Sequence, residues 1–161
     1  MDISEIDPWV DPAPSNAYTM TLNKLRQKIN KKKPWAYRHL ALRHLYGKGG
    51  AKKSRKKAID YFKKGMKLGD PECLNELGII YDTGRGVAKN EKLAFEHYQM
   101  GAIKGYDMAQ YNLGKCYFNG NYVEQSNIKA REWYNRAAAQ GYENAITQLK
   151  LLDEEENAEE E

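Results

Sequence analysis

Three histidines, two cysteines, a Gly-Lys-Gly-Gly run and a dense group of lysines are the residues whose types could do chemistry. His39, His44 and His97 could serve as acid–base groups or metal ligands, and Cys73 and Cys116 as nucleophiles or thiolate ligands. No C-x2-C or H-x3-H pair occurs, so zinc is not expected. Gly47-Lys48-Gly49-Gly50 lacks the GxxxxGK[ST] pattern by which backbone amides and a lysine cradle phosphates, and it reads as a turn. No catalytic constellation and no cofactor site is expected.

The lysines are harder to set aside. Of the 161 residues, the first 69 carry 17 Lys/Arg against 5 Asp/Glu, and the remaining 92 carry 9 against 17. Lys31, Lys32 and Lys33 form one group, Lys52, Lys53, Arg55, Lys56 and Lys57 a second, and Lys63 and Lys64 follow. Such a surface attracts an acidic partner. Nucleic acid is disfavoured as that partner, because exposed aromatics for base stacking are not interleaved with the charge; the rings fall at core positions of the repeat described next.

The elements that must position these residues come from an internal repeat. Leu77-Gly78-Ile79-Ile80-Tyr81 recurs as Leu113-Gly114-Lys115-Cys116-Tyr117, 36 residues on. Gly84, Val87, Ala94, Tyr98 and Gly105 recur as Gly120, Val123, Ala130, Tyr134 and Gly141 in the same register. Ala58, Phe62 and Gly69 extend it backwards, and Leu40-Ala41 and Gly47-Lys48-Gly49 match at 37, one residue being lost in a loop. Each unit reads as two helices. The first has small and apolar residues at helical spacing, and the second opens on a capping residue, Ser54, Asn90 or Ser126, and ends at Gly69, Gly105 or Gly141. Small residues at helix midpoints leave room for a ring from the neighbouring helix. One unit cannot bury its apolar face alone, whereas stacked units can.

This register also accounts for the histidines and cysteines. His44 falls at the ring position of Tyr81 and Tyr117, and His97 at that of Tyr61 and Trp133. His39 aligns with Glu76 and Asn112, which predicts an exposed polar site. Cys73 aligns with Ala109 and Ala145, and Cys116 with Ile80, so both are expected as reduced core residues.

The pattern A-x3-LG-x2-Y-x2-G-x-GV…A-x2-WY-x-(A/G)A-x2-G resembles the Sel-1-like repeat family, a TPR-like group. Residues 73–105 and 109–141 meet it well, and residues 36–69 less well, with Ala41 for the Gly and His44 for the Tyr. The resemblance implies an all-α, right-handed α-α superhelix (solenoid) of helix-turn-helix repeats whose concave face, lined by first helices, contacts proteins. On that geometry the partner-binding residues are Trp35, Arg38, Leu42 and Leu45; Glu72, Asn75, Ile79 and Asp82; Met108, Tyr111, Lys115 and Phe118; and Asn144 and Thr147.

The expected boundaries are a disordered segment 1–15, a repeat domain 16–152 and an acidic disordered tail 153–161 with seven carboxylates. Within the domain lie a capping helix 17–30, started by Asn16 and striped by Tyr18, Leu22, Leu25 and Ile29, repeats at about 34–69, 70–105 and 106–141, and a C-terminal capping helix 142–152. Trp9 and Val10, between prolines, read as a short docking peptide. Residues 1–16 have no apolar run for a secretory signal, and nothing approaches the roughly 20 apolar residues of a membrane span. Together these features predict a cytoplasmic, monomeric, non-catalytic scaffold or adaptor for a protein partner. An inhibitor or immunity-type protein that occludes one acidic partner is the alternative, with a nucleic-acid-associated protein behind it.

Overall fold

The structure, a computed structural model, describes residues 16–17 and 19–159. Segment 1–15, Tyr18 and Glu160–Glu161, with the expectations attached to them, lie outside the described residues. The described chain is all-α, with eight helices and no strand: α1 (Leu22–Asn30), α2 (Pro34–Tyr46), α3 (Arg55–Lys67), α4 (Pro71–Thr83), α5 (Glu91–Ile103), α6 (Asp107–Asn119), α7 (Asn127–Ala138) and α8 (Glu143–Glu159).

Each helix packs on the next, and the pairs α2/α3, α4/α5 and α6/α7 are the most intimate. First helices also meet directly, α4 touching α6. The boundaries have local causes. Pro34 and Pro71 open α2 and α4, where the missing N–H costs nothing. Ser54, Asn90 and Ser126 cap the second helices, accepting from the N–H of Lys57, Leu93 and Lys129 at 3.3, 3.0 and 3.3 Å. Gly47, Gly84 and Gly120 close the first helices in the left-handed conformation, with φ of 67°, 66° and 71°.

What fixes the distance between the helices of a pair is an absent atom. A Cβ on Gly78 would lie 2.5 Å from the Tyr98 ring, and one on Gly114 would lie 2.6 Å from the Tyr134 ring. Tyr98 and Tyr134 are buried there. Ala41 and Phe62 make the corresponding contact in the first pair, inside a cluster with Leu45, Ala58, Ile59, Cys73, Leu77 and Ile80.

Both ends differ from the sequence-based boundaries. Asn16 does not start a helix. Its carbonyl accepts from the N–H groups of Thr19 and Met20 in a turn, and α1 begins at Leu22 because the Thr21 hydroxyl accepts from Lys24 N–H at 3.3 Å. At the other end α8 runs past residue 152 to Glu159. Asp153, expected in a self-repelling tail, lies within the helix and pairs with Arg131 of α7 at 2.5 Å. That largely exposed pair offsets part of the repulsion within the acidic stretch, by about 1 kcal/mol or less.

Gly78→Ala tests the helix–helix spacing. Alanine gains about 1 kcal/mol of helix propensity over glycine, while overpacking costs about 1–3 kcal/mol. The expected result is a lower midpoint of urea-induced unfolding for Gly78→Ala and for Gly114→Ala. A raised midpoint in both would show that the ring does not need the gap.

Candidate protein-interaction surface

The residues expected on the concave face divide into buried and accessible ones. Trp35, Arg38, Leu45 and Asn75 are buried, at 3, 7, 8 and 1% exposure, and this corrects their assignment to a contact surface. The physical reason is the joint between repeats. Arg38 Nη1 donates to both oxygens of Asp70 at 2.9 and 3.0 Å and lies 2.6 Å from Glu72 Oε1. Asp70, fully buried, also caps α4 by accepting from the N–H of Glu72 and Cys73. Asn75 accepts from Asn112 Nδ2 at 2.9 Å and approaches Met108 Sδ at 3.9 Å. Ile79, Tyr111 and Phe118 are half-buried against neighbouring clusters, Tyr111 between the rings of Tyr134 and Tyr142. Leu42, Glu72 and Asp82 are half-buried, and Met108, Lys115, Asn144 and Thr147 are exposed. A thin line of accessible groups remains along α4, α6 and α8.

The ring positions behave as the repeat register requires. His44 is buried and stacks on Tyr61 at 5.6 Å, its Nδ1 2.9 Å from the carbonyl of Lys52. His97 meets Tyr81 at 5.4 Å, and its Nδ1 lies 2.7 Å from the carbonyl of Leu93. The partners have exchanged helices between the two pairs while the stack is kept.

His39 corrects the expectation of exposure, being only 3% exposed. It sits edge-on to Trp35 at 6.2 Å. Burial, with Arg38 and Arg43 nearby, holds its imidazole at about 4, so it is neutral at physiological pH. Burial acts on Glu72 and Glu76 in the same sense, against their charged forms, and raises both despite the opposing pull of Arg38. Both thiols are buried; burial drives Cys73 far up and Cys116 to about 12, so neither is a nucleophile at neutral pH.

The basic residues, by contrast, face solvent. Lys52, Lys53, Arg55, Lys56, Lys57, Lys63 and Lys64 are exposed, as is Lys67. They run from the turn before α3 down the outer side of that helix, with Asp60 the one acid among residues 52–67. Lys31, Lys32 and half-buried Lys33 occupy the α1–α2 turn, at the opposite end of α2 from Lys52 and Lys53. The basic residues thus form a strip along one helix rather than a single cluster.

A family model described as Sel1 repeat matches residues 36–70, 71–106 and 107–142, one unit for each helix pair found above. The chain belongs to the Sel1-repeat family. The crystal structure of a Sel1 repeat protein from Oxalobacter formigenes is similar with a TM-score of 0.74 at 36% identity, covering 80% of this chain and 96% of that one. A protective antigen of uropathogenic Escherichia coli with an SLR fold, c5321, gives 0.74 at 30% identity over 80% of this chain and 27% of its own. Cysteine rich protein B of Helicobacter pylori shares the fold, with a TM-score of 0.61 at 19% identity over 77% and 93% of the two chains. Comparison with curated proteins yields no match. Sel1 repeats generally mediate protein–protein interactions and generally form non-catalytic scaffolds. Among the described residues, no helix is long and apolar enough to cross a membrane, and no group of His, Cys, Asp or Glu could hold a metal.

Two measurements test the buried charges. Arg38→Met leaves the Asp70 carboxylate buried and unpaired, and should cost about 3–5 kcal/mol of stability. Arg38→Met with Asp70→Asn should recover most of it, and equal losses in both variants would contradict the pairing. Because the folded-state value of His39 lies below its ordinary 6.5, its contribution is full above pH 6.5 and is lost as pH falls towards 4. The raised Glu72 and Glu76 have the opposite sign, favouring the fold as pH falls. Comparison with His39→Gln removes their common effect. The wild type should lose up to about 3 kcal/mol more than the variant between pH 7 and 4. Parallel profiles would count against a buried neutral imidazole.

Proposed function

We propose that this Sel1-repeat chain is a non-catalytic scaffold that holds an acidic protein partner on the basic strip of α3, with the accessible first-helix line on α4, α6 and α8 as a secondary contact. The observation that carries this reading is the strip itself. Eight exposed cations run along α3 and the turn before it, and among the described residues none of them is in an ion pair with a carboxylate of the chain. Cations left unpaired on a rigid helix steer an opposite charge and set its register. The first-helix line offers less, because Trp35 is buried with Ala17, Leu25 and Leu40 and Arg38 is committed to the joint with Asp70. An acidic protein rather than nucleic acid is favoured because Tyr61, the ring beside the strip, is half-buried, stacked on His44 and covered by Lys64 Nζ 5.8 Å from its centroid, and so is not an open platform for a base.

The test is affinity capture with three forms of the full chain: wild type, Lys56→Glu/Lys57→Glu/Lys63→Glu/Lys64→Glu, and Met108→Arg/Asn144→Lys. Proteins identified with the wild type should be acidic. They should bind the α3 variant about tenfold or more weakly at low salt and the first-helix variant nearly as well as wild type. Undiminished binding to the α3 variant, or catalytic turnover by the purified chain, would overturn the proposal.

A further inference from the structure

The helices at the two ends of the stack are each half of a repeat. Lys32, with φ of 52°, stands 37 residues before Gly69, with φ of 89°, and Pro34 stands 37 before Pro71. By that register α1 is a second helix, with Leu25 at the place of Phe62, and among the described residues no first helix precedes it. At the other end Ala145 and Leu149 repeat Ala109 and Leu113, 36 residues on, so α8 is a first helix. Among the described residues no second helix packs on it.

Two contacts define the face by which the helices of a complete pair meet. One is a ring pair, His44 on Tyr61 at 5.6 Å and Tyr81 with His97 at 5.4 Å. The other is a close approach near the end of the second helix, where a Cβ on Gly65 would lie 3.4 Å from Tyr37 Cβ. On α8 the equivalents of His44 and Tyr37 are Asp153 and Ile146, and on α1 the equivalents of Tyr61 and Gly65 are Lys24 and Lys28. The ring pair has thus become a carboxylate at one end of the stack and an ammonium at the other. Asp153, though paired with Arg131, keeps 59% of its side chain exposed, and Ile146 and Lys24 are exposed as well. Lys24 and Lys28 line an open groove of about 400 Å³ on α1, with Met20, Thr21 and Gln27 and without a carboxylate. The wider charge has the same sense. Residues 22–33 hold six Lys/Arg and no acid, and α8 holds six Asp/Glu against one lysine.

We propose that copies of this chain associate head to tail, α8 of one copy lying along the α1 groove of the next, with Asp153 facing Lys24 and Ile146 covering the stem of Lys28. A second copy takes the place of the missing half-repeat at each end, in contrast to the monomer expected from the sequence. The contact is shallower than one within a repeat. Lys150 stands where Gly78 and Gly114 admit a ring, and Leu25, at the place of that ring, is already buried with Ala17. No ring inserts, so charge sets the register and salt weakens the contact. The two surfaces differ, which makes the interface heterologous and leaves each assembly one open end of either kind. The basic strip of α3 takes no part in it.

The test is sedimentation velocity on the full chain at low salt. The weight-average mass of the wild type should rise with concentration past that of a dimer, and should fall when salt is added. Lys24→Glu/Lys28→Glu and Ile146→Ser/Asp153→Ala should each stay monomeric while keeping the helical circular dichroism of the wild type. Mixed in equal amounts, the two variants should form a dimer and nothing larger, because each supplies the end that the other lacks. Should either double variant lose its helical signal, the single exposed substitutions Lys24→Glu and Asp153→Asn should still weaken association severalfold. A wild type that is monomeric at every concentration would overturn the proposal. So would association undiminished in the variants, or a mixture of the two double variants that stays monomeric.

Discussion

Everything else in the stack follows from how closely two helices of a pair approach. Gly78 and Gly114 have no Cβ, and the Tyr98 and Tyr134 rings fill the space one would take. Non-bonded attraction falls off within a fraction of an ångström. A ring held at contact distance therefore stabilises the pair far more than the same ring pushed outward by one atom. Once the pair is fixed, so is the direction in which its second helix leaves, and with it the placement of the next unit.

The joints between units use less uniform chemistry. The first is polar and buried, with Arg38 on Asp70 and the α4 cap made by the same carboxylate. The next brings Phe95 against Tyr117 edge-on at 5.7 Å. The last replaces that ring pair, at equivalent positions, by Arg131 and Asp153. Such a series leaves the outer positions of the second helices unconstrained by packing. Charge can collect there without disturbing the fold, and on α3 it has done so.

Much of this was legible in the sequence because the ring-on-glycine contact repeats at 36 residues and each second helix announces itself with Ser or Asn. What was not legible depends on neighbours far along the chain. Nothing local to Arg38 says that Asp70, 32 residues on, will draw it into a joint, though an aspartate before Pro71 already marks a capped helix start. His39 aligns with half-buried Glu76 and Asn112, yet it sits at the end of the array, where Trp35 and two arginines surround it. Thr21 and Asn16 are both competent caps five residues apart, and only the burial of Ala17 in the turn between them favours the later one. The charge of the tail pointed to disorder through self-repulsion, whereas α8 continues to Glu159 and Arg131 pairs with Asp153.

Burial removes Trp35 and Arg38 from the surface that a concave face would otherwise present, and the basic strip is the partner surface we propose. Zero-length carbodiimide crosslinking tests this most directly, because it joins a lysine amine only to a carboxylate in contact with it. With the captured partner bound, crosslinks should run from Lys56, Lys57, Lys63 and Lys64 to carboxylates of the partner. Crosslinks concentrated at Lys104, Lys115 and Lys129, or joining carboxylates of this chain to lysines of the partner, would contradict the account.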